Sequence, residues 1–213
     1  MTEAAAATVG RRTRKTQQER SADTTARLLE ATIDLLHDRG FSRLSTTDIA
    51  EQAGLSRGAL THHFASKEDI IVAAIADQLR RSTAALHEMA AEIRVSGGTT
   101  DEIVDFIWAM MTDRLFYVTM EYLPEARHNP PFREAIVPVV KEFHDGLNAV
   151  WAELAAQAGV EVGRALVLMN ATMCVIRGMI AQTPVKDDPA YFRALLGFWK
   201  DNLRREFRPV PPA

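Results

Sequence analysis

The chain has 213 residues, 47 % of them apolar, enough to bury a core as one large domain or as a small and a large one. A formal net charge of -3 excludes a uniformly basic nucleic-acid binder, so charge must be read by its distribution. The single cysteine, Cys174, excludes an intrachain disulfide and a cysteine-rich metal site; it suits a reducing cytoplasm, the expected location, and reads as a small core residue.

The first ten residues are Ala-rich and of low complexity. Arg11 to Arg20 then holds four Arg and one Lys against one Glu, a basic arm that is either a DNA contact or a solvated terminus. Its charges follow the alanines and lead into a polar segment, so no export signal is expected. Leu28, Leu29, Ile33, Leu35 and Leu36 recur at helical spacing until Gly40 stops the first helix. Two short segments follow at about 46–53 and 57–63, then a long connector helix over about 67–95, ended by Ser96-Gly97-Gly98. Beyond it the pattern predicts helices near 100–122, 131–158, 162–182 and 189–207, with breaks at Pro124, Asn129-Pro130, Gly159 and Thr183-Pro184. Pro138 is expected to divide the second of these, because proline lacks the amide proton and clashes with the preceding turn. The apolar run from Ala165 to Ile176 is interrupted by Asn170 and Thr172 and falls short of the ~20 residues of a membrane span, so it reads as a buried helix. No strand alternation is found, and the fold class is all-α.

The most informative stretch is Ser45 to Asp69, STTDIAEQAGLSRGALTHHFASKED. Ser45 followed by Asp48 has capping-box spacing with Asp in place of Glu, and Ile49 and Ala53 give a short apolar face. Gly54 sits where a turn between two helices needs a left-handed residue, Leu55 can plug the angle between them, and Ser56 can cap the next helix. Ala50 is small enough for close helix contact, and Leu60 faces back into a trihelical core. This spacing reads as a helix-turn-helix whose second helix is free to enter a major groove. Arg57 opens that helix and can donate two hydrogen bonds to a guanine edge. Gly58 and Ala59 permit close approach or contact with a thymine methyl, and His62 faces outward beside them.

With Arg27-Leu28-Leu29-Glu30-Ala31, Leu35, Gly40-Phe41 and Thr46-Thr47 before it, and Leu60, His63-Phe64 and Ser66-Lys67-Glu68 after, the pattern resembles the N-terminal domain of TetR-family transcriptional regulators over about residues 25–70. The resemblance implies phosphate contacts from Thr46, Thr47, Thr61, His63 and Lys67. Hydroxyls, helix N-terminal amides and a lysine at a helix start suit phosphate oxygens independently of it. Thr61 departs from the pattern, standing where the family usually has an aromatic that packs on the DNA backbone, so contact area is lost there. Adjacent His62 and His63 point about 100° apart on a helix, with no Asp, Glu or Cys one turn away, so neither a metal site nor any cofactor is expected.

Beyond the connector, Ile103, Phe106, Ile107, Met110, Met111, Leu115 and Val118 cover one helical face, and Val140, Phe143, Leu147, Trp151 and Leu154 another. Taken singly these read as ordinary core. Taken together, methionines and aromatics among scattered polar groups suit a plastic pocket for a small apolar or amphipathic effector. The candidates for it are Phe106, Met110, Phe143, His144, Leu147, Trp151, Asn170 and Met173. The last two helices carry more apolar surface than a peripheral pair should leave uncovered, and Gly163, Gly178 and Gly197 allow close approach, which implies a homodimer through these helices.

The expected architecture is a basic arm (1–20), a three-helix helix-turn-helix DNA-binding domain (21–66) and, joined by the long connector helix, a larger helical ligand-binding and dimerisation domain (67–213). The expected function is a transcriptional regulator, a repressor that binds a palindromic duplex DNA operator as a homodimer and is released by its effector, with no membrane partner. Two alternatives stand beside it. One is a ligand-independent architectural DNA-binding dimer, which no small molecule should stabilise. The other is an enzyme acting through the helical body, for which the chain offers no phosphate-binding glycine loop, paired metal-ligand motif or nucleophile in a recognisable context.

Overall fold

The computed structural model describes residues 16–207, which are helical with no strand among them. Helix α1 (Gln17–Arg39) opens on a capping box: the Thr16 hydroxyl accepts from the Glu19 amide at 3.1 Å and the Glu19 carboxylate accepts from the Thr16 amide at 2.6 Å. Residues 17–20, read from sequence as arm, are therefore helix, because this cap carries the helix back through the polar segment. The rest of the arm, 1–15, lies outside the described residues. A 3-10 turn (Phe41–Arg43) leads to α2 (Thr46–Gln52) and α3 (Arg57–His63). Leu28, Ile33 and Leu36 of α1, Ile49 of α2 and Leu60 of α3 are buried in one core, each contributing about 1.5–3 kcal/mol. These three helices form the head.

Helix α4 (Lys67–Ser96) is capped by the Ser66 hydroxyl, stops at Gly97, and at 1.5 Å per residue runs for roughly 45 Å. It packs on α1 along one flank and on α7 (Pro130–Ala158) along another. A Cβ at Gly146 of α7 would lie 2.7 Å from the Thr83 methyl, so the crossing of these two helices requires a residue without a side chain. The remaining body helices are α5 (Thr100–Met110), α6 (Phe116–His128), α8 (Val162–Ile180) and α9 (Pro189–Glu206).

Several boundaries differ from the sequence reading. Residues 111–115 form a π-helical segment between α5 and α6, so the apolar stripe drawn there as one face changes direction partway. Pro124 and Pro138, expected as breaks, lie inside α6 and α7. Each removes one helix hydrogen bond, to the carbonyl of Met120 or Glu134, but all four residues face solvent, where water can satisfy that carbonyl. Cys174 is exposed rather than core, because α8 presents Val167, Asn170, Cys174 and Gly178 on its outer face. By length and composition α8 is apolar enough to cross a membrane, but Ala165, Met169, Thr172, Met173, Ile176 and Ile180 are buried within the fold.

Besides the packing of α4 on α1, polar contacts and two aromatic pairs, Phe41 with Phe132 and His37 with Tyr117, join the head to the body. The Phe41 amide donates to the Glu121 carboxylate of α6 at 2.9 Å. Arg114, in the π-helical segment, donates to Glu30 at 2.9 Å and Asp34 at 2.5 Å, both on α1. Arg81 of α4 also bonds Glu30, and this hydrogen bond, with that from Arg114, outweighs desolvation and holds the Glu30 carboxyl below its ordinary pKa. Edge-on packing of Phe41 against Phe132 of α7 closes the junction at 5.3 Å.

Candidate functional site

The turn between α2 and α3 is built by local chemistry. The Ser45 hydroxyl accepts from the Asp48 amide at 3.2 Å, and the Asp48 carboxylate accepts from the Ser45 amide at 3.1 Å. Gly54 takes φ 63, a left-handed conformation that a side chain would strain, and the Leu55 amide returns to the Ala50 carbonyl at 2.9 Å. The guanidinium of Arg27 donates to the carbonyls of Ala53 at 2.5 Å and Gly54 at 3.2 Å, tying α1 to the turn. Sequence reasoning missed that role; a basic residue one position before the buried Leu28 was its only signal.

On α3 the Ser56 hydroxyl accepts from the Ala59 amide at 3.1 Å, and Leu60 anchors the helix with 1 % of its surface exposed. Arg57, Gly58, Thr61 and His62 are exposed, and Ala59 is half-buried among them. The Thr61 hydroxyl donates to the Gly58 carbonyl at 3.2 Å, leaving its lone pairs free. Thr46 and Thr47 sit in the first turn of α2, whose amides have no helical partner. His63 is half-buried, with Nδ1 3.4 Å from the Thr25 hydroxyl, so it leans on α1. Lys67 is turned inward: its ammonium donates to the Phe41 carbonyl at 3.0 Å and lies 4.6 Å from the Phe41 ring centroid. Of the nine residues expected at the DNA, Lys67 is the one whose charge is already engaged in holding the head together.

The eight effector candidates do not line one chamber. Phe143 and His144 border a cleft of about 200 Å³ between α4, α6, α7 and α8, which also takes in Leu115, Thr119, Tyr122 and Arg177. Trp151 borders a separate cleft of about 100 Å³ with Ile103, Leu154, Met169 and Phe207. Leu147 and Met173 are buried in the core, and Phe106 and Met110 are half-buried against it. Asn170 is exposed, donating to the Leu166 carbonyl at 2.8 Å and to Asn148 at 3.3 Å, so it faces away from both clefts. Burial lowers the pKa of His144, helped by the neighbouring Arg177 and opposed by Asp145. Burial raises that of the Tyr122 hydroxyl. Arg177 and Tyr122 escaped sequence reasoning. The available signal was Arg177 itself, a charge at helical spacing from Asn170 and Met173 in a helix whose other charged residue, Arg164, lies in its first turn.

Comparison with known proteins agrees with this geometry. Residues 28–74 match the family model of bacterial regulatory proteins of the tetR family. The HTH-type transcriptional regulator CymR of Pseudomonas putida is 22 % identical over 179 residues, covering 84 % of this chain and 88 % of that protein. Among solved structures, a regulator from Mesorhizobium loti superposes with a TM-score of 0.69 at 12 % identity, covering 90 % of this chain and 97 % of that one. The multidrug binding protein EbrR, complexed with imidazole, superposes with a TM-score of 0.60 at 23 % identity, covering 89 % and 97 %. Both structures share the fold, a helix-turn-helix head on a larger helical domain.

Proposed function

From a chain that belongs to the TetR family of transcriptional regulators, we propose a cytoplasmic homodimeric repressor that binds a palindromic operator through α3 and is released by a small-molecule effector held in its body. The observation that carries the DNA-binding part is the outer face of α3. Leu60 locks that helix into the head while Arg57, Gly58, Thr61 and His62 stand exposed on its other side. Arg57 reads a base edge, Gly58 and Ala59 let the helix sit deep in the groove, and Thr46, Thr47, Thr61 and His63 hold phosphates. Lys67 supports this face by fixing the 3-10 turn and adds its charge to the phosphate field. The domain limits follow: head to Ser66, body from Lys67.

Dimerisation through α8 and α9 is supported by what they leave uncovered. Val167 is 70 % and Phe198 67 % exposed, Cys174 faces outward, and Gly178 and Gly197 have open space where a Cβ would stand. A two-fold partner lets helices meet closely at those glycines and places two α3 helices one DNA turn apart. The effector reading is supported by the two clefts, and the multidrug binding protein EbrR has the same fold.

The test is selection of binding duplexes from a randomised pool, followed by titration of the enriched site. A palindrome with half-sites about one turn apart is expected. Arg57→Ala should cost about 1–3 kcal/mol at one or two positions only. No enriched sequence, or an Arg57→Ala protein with unchanged preference, overturns the assignment.

A further inference from the structure

Among the described arginines of the body only Arg114 and Arg177 are drawn partly out of solvent. Arg114 has two carboxylates, Glu30 and Asp34. Arg177 has none among the described residues, and its Nε atom is buried without any hydrogen-bond partner. An arginine cannot shed its proton to escape this situation, and a guanidinium half removed from water calls for an anion. Arg177 lines the cleft of about 200 Å³ whose walls include Leu115, Val140 and Phe143, with Thr119, Tyr122 and His144 as its other polar neighbours. The apolar cleft bordered by Trp151 holds no charge and makes no such demand.

We propose that this cleft binds a small organic monocarboxylate, its carboxylate on the Arg177 guanidinium and its apolar body between Leu115, Val140 and Phe143. Planar guanidinium and carboxylate pair through two parallel hydrogen bonds, which sets the ligand's orientation. One negative charge is the limit, because no second cation lines the cleft and a dianion would leave a charge against apolar walls. At about 200 Å³ the cleft is smaller than the roughly 300–1,000 Å³ of sites for drug-sized ligands, which suits a small acid. Burial and Arg177 disfavour a charge on His144, so its neutral ring adds a polar contact without a second cation. The ligand would also touch α6 at Tyr122, next to Glu121, which holds the Phe41 amide of the head. The assignment rests on the reading of the body as an effector sensor and supplies the effector's class.

The test compares 3-phenylpropanoate with its neutral amide, 3-phenylpropanamide, by calorimetric titration of the full chain. The acid should bind wild type at least tenfold tighter than the amide. Arg177→Met should erase that preference while leaving amide affinity within twofold, and Arg177→Lys should restore part of it. Equal binding of acid and amide to wild type overturns the proposal without any variant, as does failure of 3-phenylpropanoate and benzoate alike to bind at millimolar concentration. Retention of the preference in Arg177→Met overturns it too. Operator affinity is then titrated with and without the acid. Arg177-dependent binding that leaves operator affinity unchanged would sustain the carboxylate site and remove the sensing role. Release of operator by neutral compounds alone would sustain sensing and overturn the assignment of a carboxylate as the effector.

Discussion

Head and body are both helical, but they are held by different means. Side-chain caps open helices in both, at Thr16, Ser45 and Ser56 in the head and at Ser66, Thr99, Asn129, Glu161 and Asp188 in the body, but in the head no buried side-chain polar atom among the described residues lacks a partner. In the body, Asp101 Oδ1, Trp151 Nε1 and Arg177 Nε are buried without one. A saturated head is built to keep a single shape against a rigid duplex. A body with unsatisfied polar atoms has given up stability at positions where a bound molecule can return it.

Substitutions can break or sharpen that contrast. Leu60→Ala, at the centre of the head, should destabilise it by about 2–5 kcal/mol in denaturant unfolding, since the short helices cannot collapse onto the cavity. Glu121→Ala strands the Phe41 amide and should cost about 1–3 kcal/mol, read as faster hydrogen exchange confined to the head and its junction. Ser56→Ala should cost about 1 kcal/mol through the lost α3 cap. Trp151→Phe removes an indole N–H that bonds to nothing and should change stability by less than about 1 kcal/mol, loss of ring area offsetting relief of the orphan donor. A cost as large as that of Leu60→Ala would show that the indole has a partner and would erase the contrast.

The smallest effect concerns pH. With its folded pKa below the ordinary 6.5, His144 takes up fewer protons in the folded than in the unfolded chain between those two values. Its contribution is therefore fully present above the unfolded pKa and declines as pH falls towards the folded one. Proton NMR should place the His144 midpoint below 6.5, and His144→Gln should flatten the acid limb of stability slightly.

The same contrast explains what could be read from sequence. Ser45, Gly54, Ser56 and Leu60 act on neighbours a few residues away, so their spacing alone specified the turn and the bounds of α3. The body is organised by contacts over long separations, such as Lys200 with Asp105 and Trp199 with Thr172, which no local pattern encodes. Prolines 124 and 138 misled because a ring on a solvated helix face is tolerated where the same ring in a core is not. Cys174 misled for the opposite reason: hydrophobicity alone does not tell a face kept for the protein's interior from one left outside it. The pocket candidates shared helical faces but different depths along them, so they divide between two clefts, the core and, for Asn170, the exposed surface.

The π-helical turn at residues 111–115 acts as a phase shift. One residue more than an α-turn needs rotates everything after it by about 100° relative to a continuous α-helix. Because of that offset a single rod of chain addresses two audiences: Arg114 meets the acids of α1, while Thr119 and Tyr122, a turn or two later, look into the cleft beside Arg177. Deleting one residue from this segment would leave composition and helix content nearly unchanged, yet it would turn the downstream half to the wrong listeners.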